Sequence, residues 1–172
     1  MMERVLIIGS NGAGKSTFSY KLAEKTGLPL IHLDQIYWYG DWQVTPREQF
    51  EQIVLEEAKK SRWIIEGNNM KSLEQRLKYA DAVFWFEFPP YRCIFNILKR
   101  EFRYRGKARP DMPESCISKI DFEFLKYAWN FNRKYKDRIE ELLKEKCDIK
   151  VFHFKKHKEV NEFLKNHRDT TI

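Results

Sequence analysis

Apolar residues in this chain gather into short unbroken runs separated by longer stretches with helical spacing. The runs are Val5-Leu6-Ile7-Ile8, Pro29-Leu30-Ile31-His32-Leu33, Trp63-Ile64-Ile65, Ala82-Val83-Phe84-Trp85-Phe86 and Ile149 to Phe154. They alternate little with polar residues, as expected of parallel strands covered on both faces. Between them, Phe18 to Lys25 reads as a helix. Thr45-Pro46-Arg47-Glu48 has the form of a capping box with proline at the first helical position. It opens a helix to about Lys60, with Phe50, Ile53, Val54 and Ala58 on one face. Pro89-Pro90 starts a helix that Gly106 and Pro110 bring to a loop. Ile120 to Lys146 reads as a long helix and Val160 to Asn166 as a last short one. Strands alternating with helices predict an α/β protein, a three-layer α/β/α sandwich around one parallel sheet of five strands.

Neither a repeat, nor a low-complexity tract, nor a linker interrupts the 172 residues, so a single domain over 1–172 is expected. At 42% hydrophobic and 15% aromatic, the chain can fill a packed core. No apolar run approaches the ~20 residues that cross a bilayer. Met-Met-Glu-Arg leads straight into a strand and does not read as a signal peptide. A cytoplasmic protein with no membrane partner is expected. Cys93, Cys116 and Cys147 are scattered, without C-x-x-C or zinc spacing, and read as reduced thiols. The net charge of +7 is concentrated. Between Tyr91 and Pro110, Arg92, Lys99, Arg100, Arg103, Arg105, Lys107 and Arg109 face Glu101 alone, which leaves +6 in that segment. A local patch of this sign points to an anion, either nucleotide phosphates or a nucleic-acid backbone.

The chemistry is carried first by Gly9-Ser10-Asn11-Gly12-Ala13-Gly14-Lys15-Ser16-Thr17, which matches G-x-x-x-x-G-K-[ST]. It lies between a predicted strand and a predicted helix, the context a phosphate-binding loop needs. Its glycines let the backbone turn its N–H groups toward phosphate oxygens, and the helix behind adds its dipole. Lys15 is then expected to reach the β- and γ-phosphates of ATP or GTP, and the Ser16 hydroxyl to hold Mg²⁺. The loop reads phosphates and does not choose between the two bases.

Ligands of such sheets sit beyond the carboxyl ends of the strands. Asp34, Glu66 and Glu87 each follow a predicted strand and are expected at that edge. Glu66 is placed to hold Mg²⁺ directly or through water. Asp34 can accept or orient the proton of a hydroxyl acceptor, or bind an acceptor that is already a phosphate. Glu87 is expected to contact the P-loop or to cap the helix after Pro89-Pro90. Arg100, Arg103, Arg105 and Arg109 can close over a transferred phosphoryl group, with Gly106 as hinge.

Taken together, the P-loop, Trp63-Ile-Ile-Glu66-Gly67-Asn68, Asp81-Ala-Val-Phe-Trp-Phe-Glu87-Phe-Pro89 and Gly106-Lys107-Ala-Arg109-Pro-Asp111-Met112 resemble the FlaR-type topology modulation proteins. These are P-loop proteins related to adenylate kinase. His32-Leu-Asp34 with Trp38 and Trp42 fits the same pattern, as do Phe124, Trp129 and Phe131. The resemblance spans nearly the whole chain. It implies a nucleoside-monophosphate-kinase-like fold, strand order 2-3-1-4-5, and a mobile basic lid at about 92–115. Where the family more usually has aspartates, this chain has Glu66 and Glu87, with the same charge one methylene further out.

Two classes of function follow. The first is an ATP-dependent phosphotransferase whose partners are a nucleoside triphosphate and a small-molecule acceptor. The second is a nucleotide-binding regulator associated with DNA topology, for which the basic segment and the family name speak. No helix-turn-helix, zinc finger or other nucleic-acid module supports DNA as a partner. Phe122, Phe124, Tyr127, Trp129, Phe131 and Tyr135 are expected to pack into the core from the long helix. Tyr37, Trp38, Tyr39 and Trp42 are expected to border the acceptor. His153 and His157 read as structural, and Lys155 and Lys156 as neighbours of the nucleotide base.

Overall fold

The computed structural model describes residues 2–119, 121–146 and 148–166; Ile120, the expected start of the long helix, and Cys147 lie outside them. Five parallel strands form one sheet: β1 (Arg4–Gly9), β2 (Leu30–His32), β5 (Trp63–Glu66), β6 (Ala82–Phe86) and β7 (Lys150–Phe154). Two further short strands, β3 (Trp38–Tyr39) and β4 (Gln43–Val44), make a separate antiparallel hairpin. The sheet order is β2-β5-β1-β6-β7, which is 2-3-1-4-5 when its own strands are counted along the chain. The helices are α1 (Lys15–Thr26), α2 (Leu33–Tyr37), α3 (Arg47–Lys59), α4 (Met70–Leu77), α5 (Pro90–Arg103), α6 (Phe122–Lys144) and α7 (His157–Asn166).

The unbroken apolar runs are explained by burial on both faces. Along β1, Val5 and Ile7 join Phe18 and Leu22 of α1 and Phe163 of α7. Leu6 and Ile8 point the other way, to Phe50 and Val54 of α3, Leu73 of α4 and Phe131 of α6. Aromatic rings fill the first layer. Phe18 and Phe84 lie with centroids 4.9 Å apart, and Phe84 stacks on Phe152 at 4.7 Å. The pairing Ile7↔Glu66↔His32 brings the ends of β1, β5 and β2 level. Everything that follows those strands therefore meets at one edge.

Three local expectations are corrected. The capping box does not form, because the Thr45 hydroxyl donates to the Ile36 carbonyl at 2.6 Å and Pro46 flanks the helix that begins at Arg47. The second strand ends at His32, since Leu33 already starts α2. Helix α4 is additional: Asn69 caps it by accepting from the Ser72 amide at 3.0 Å. Met70, Leu73 and Leu77 supply its apolar face, with Leu73 and Leu77 buried.

Candidate active site

The P-loop links β1 to α1, and its conformation rests on glycine. Gly9 has φ 124°, and a Cβ there would lie 2.1 Å from the Phe86 carbonyl oxygen. Gly12 has φ 82°, and a Cβ would meet the Cys93 carbonyl oxygen at 2.3 Å. Both positions combine left-handed backbone with contact against a neighbouring chain segment, so any larger residue displaces the loop. Asn68, just past β5, braces it by accepting from the Gly9 amide at 2.9 Å and donating to Asn11 Oδ1 at 3.0 Å. Ser10 is buried and donates to Asn132 of α6 at 2.7 Å. Asn11, Gly12, Ala13, Gly14, Lys15, Ser16 and Thr17 line a cavity of about 1390 Å³, whereas Gly9 and Ser10 lie behind it as support.

Lys15 is buried at the floor of the cavity. Its Nζ donates to the Ser10 carbonyl at 3.2 Å and lies 4.0 Å from Glu66 Oε1. Burial lowers its pKa, and the charges of Glu66 and Asp34 offset this only in part. The ammonium is thus under-compensated, and an anion would stabilise it. Glu66 ends β5, receives the Ser16 hydroxyl at 3.3 Å and pairs with His32 Nδ1 at 2.8 Å. Ser16 and Glu66 therefore stand together as oxygen donors of the kind Mg²⁺ prefers. Arg100 lines the same cavity, and its Nε is buried without a hydrogen-bond partner among the described residues.

Asp34 lies in the first turn of α2 and faces the cavity. Water reaches its carboxylate, but protein surrounds it. This desolvation, helped by the charge of Glu66, raises its pKa to about 6, against the pull of Arg109 and Lys15. Such a group is tuned to exchange a proton near neutral pH.

Glu87 does not join this edge, contrary to the expectation that three carboxylates converge there. It turns to Lys136 at 2.8 Å, His153 at 2.8 Å and Lys155 at 3.9 Å. Burial alone would raise its pKa; these cations lower it instead. His153 is held in this cluster and stacks on Trp85, with centroids 4.0 Å apart. His157 packs edge-on against Phe88.

The basic segment divides in two. Residues 92–103 belong to α5, and the irregular part begins at Tyr104. Arg100, Arg103 and Arg109 line the cavity, while Arg105 lies exposed in the turn away from its wall. Buried Glu101 gathers Arg100, Arg109 and the Ser118 hydroxyl. The irregular segment is tied to the hairpin that follows Asp34. Trp42 Nε1 donates to the Ile117 carbonyl at 3.1 Å, Ser115 to Gly40 at 3.1 Å and Gln35 to Pro110 at 3.0 Å. Trp42 has φ 60°, a left-handed conformation rare outside glycine.

Three contributors were not singled out by sequence. Asp111 receives the Ser16 hydroxyl at 3.0 Å and Arg109 Nε at 3.2 Å. Arg76 is fully buried and spends its guanidinium on the loop after β5, donating to the Asn69 carbonyl at 2.7 Å and to Ser72 Oγ at 3.1 Å; burial lowers its pKa to about 9. Asn132 carried no motif at all. The expected packing role for the α6 aromatics holds for Phe131 and for Tyr135, which packs on the same layer and also lines the cavity; Phe124 and Tyr127 line the cavity, and Phe122 and Trp129 are exposed. Tyr37, Trp38 and Trp42 also line it, whereas Tyr39 does not.

A family model of isopentenyl transferases matches residues 2–81, the stretch that carries the P-loop, Asp34 and Glu66. A search of curated proteins returns no match. Among solved structures, shikimate kinase from Bacteroides thetaiotaomicron is similar at a TM-score of 0.54 and 13% identity, over 96% of each chain. That likeness shows the fold: a five-stranded parallel sheet between helices, with the P-loop after its first strand. A sugar kinase from Janibacter sp. is similar at a TM-score of 0.48 and 12% identity, over 98% of this chain and 91% of the other.

Proposed function

We propose that this P-loop kinase fold serves an ATP-dependent phosphotransferase acting on a hydroxyl of a small molecule. The observation that carries the reading is geometric: the P-loop, buried Lys15 and the carboxylate of Asp34 line one cavity, and the pKa of Asp34, raised to about 6, agrees with it. The P-loop amides from Asn11 to Thr17 bind the phosphates, and Lys15 holds the β- and γ-phosphate oxygens. Ser16 and Glu66 would hold Mg²⁺, which when bound neutralises phosphate charge. Asp34 accepts the acceptor's proton as its oxygen bonds to the γ-phosphorus, the bridging P–O bond breaks and ADP leaves. Arg100, Arg103 and Arg109 stabilise the charge that develops. Arg105 would take part only if the segment rearranged. Because three of the four arginines face the cavity, the basic patch fits this reaction better than a DNA backbone.

The match over residues 2–81 supports a second reading, transfer of an isopentenyl group from a diphosphate held by the same loop. The two differ in product. With ATP labelled in its γ-phosphate and a panel of nucleosides, sugars and hydroxy acids, the kinase reading expects label in an acceptor. Inorganic diphosphate released from an isopentenyl diphosphate, with no label transfer, would favour the second.

A further inference from the structure

Helix α5 carries a feature that phosphoryl transfer does not use. Its residues divide into three faces. Cys93, Ile97 and Glu101 are buried, and Asn96, Lys99, Arg100 and Arg103 turn to the cavity. The third face is apolar and open: Tyr91 is 61% exposed, Phe95 67%, Leu98 41% and Phe102 81%. Their spacing of four, three and four residues stacks them in one row along the helix. Helix α6 packs beside α5 and adds Phe122, 81% exposed, and Trp129, 52% exposed, seven residues apart and so on one side. Single exposed apolar side chains are ordinary, but six large ones on two packed helices are not.

We infer that this face docks on an anionic lipid surface. The charge beside the row selects the occupant. Arg92, Lys99 and Arg103 flank it along α5, and Arg105 and Lys107 follow, all exposed. Large aromatic residues in a row with a basic margin suit the boundary between headgroups and acyl chains, where apolar rings enter and cations meet phosphate. Tyrosine and tryptophan, at Tyr91 and Trp129, are the residues that favour this boundary. Duplex DNA would satisfy the cations and leave the rings in water, and a single strand that stacks its bases on the rings is separated from lipid by the test. A second copy docked antiparallel would set Arg92, Lys99 and Arg103 against their own counterparts. No helix among the described residues is long and apolar enough to cross a membrane, so the contact is peripheral.

Co-sedimentation with lipid vesicles tests this, using the whole chain. Vesicles of phosphatidylcholine with about a third phosphatidylglycerol should bind at least ~10-fold better than phosphatidylcholine alone, and high salt should weaken the binding. The double variant Phe95→Glu/Phe102→Glu should lose binding ~10-fold or more while keeping its melting temperature, because both side chains are mostly in water. Arg92→Gln/Lys107→Gln is a milder second variant and should weaken only the anionic vesicles. Equal binding to both vesicles, or none, overturns the inference. So does a concentration-dependent dimer, or binding to duplex or single-stranded DNA, that the Phe95→Glu/Phe102→Glu change abolishes.

Discussion

Lys15 and Asp34 show how far a residue's chemistry can be read before its surroundings are known. The motif identifies Lys15, and the end of a strand places Asp34, but neither predicts their protonation. That depends on burial and on Glu66, which His32 and Ser16 hold beside both. As the base of the proposed transfer, Asp34 would have to be ionised, so kcat/KM should rise with pH through an apparent pKa near 6. Asp34→Asn should reduce the rate about 10²-fold or more and remove that limb of the profile. An unchanged profile in the variant would take proton transfer away from Asp34. Glu87 was misread because the end of a strand fixes position and not direction. Lys136, 49 residues away in sequence, comes within 2.8 Å and turns it aside. Arg76 and Asn132 were invisible for a related reason. They act on the loop after β5 and on Ser10 through contacts made only by the fold.

At the scale of elements, the strands and the P-loop setting were legible because buried parallel strands leave unbroken apolar runs and the loop needs its strand and helix, whereas the strand order came only with the FlaR-type resemblance. The helix boundaries were less so, as Thr45 shows by bonding back to Ile36 in place of capping α3. The coupling of the 104–119 segment to α2 and the hairpin after it could not be read at all. It rests on Trp42, Ser115 and Gln35, which reach carbonyls about seventy-five positions away. The left-handed backbone of Trp42 is sustained by these contacts and by its packing on Trp38, with centroids 5.4 Å apart. Trp42→Ala should therefore loosen the segment. Trypsin should cut after Arg105 or Lys107 several-fold faster, and KM for the acceptor should rise while MgATP binding changes little. Cleavage at the parental rate would mean that these bonds do not hold the segment.

For the whole molecule, charge and packing give different kinds of evidence. The concentration of +6 in one segment was legible, but its division between a cavity wall and an exposed helix face was not. Asp81 beside Arg4, Glu87 beside Lys136 and Asp111 beside Arg109 are each pushed up by burial and brought below the usual carboxylate range by their cations. Such groups add stability above the unfolded carboxyl pKa of about 4 and lose it as pH falls through their lowered folded values. Asp34, raised to about 6, has the opposite sign, because the fold favours its protonated form. The melting temperature should hold near neutrality and drop below about pH 4, with a shallower drop in Asp81→Asn; equal melting at acid and neutral pH would contradict these pairings. The central claim is that the P-loop cavity transfers phosphate from ATP. Its most direct test is ADP release from MgATP across nucleosides, sugars and hydroxy acids, for the parent chain and Lys15→Ala. Release should be stimulated by one acceptor class and lost in the variant. Release that Lys15→Ala leaves intact would contradict it, as would its absence with every acceptor while MgATP still binds.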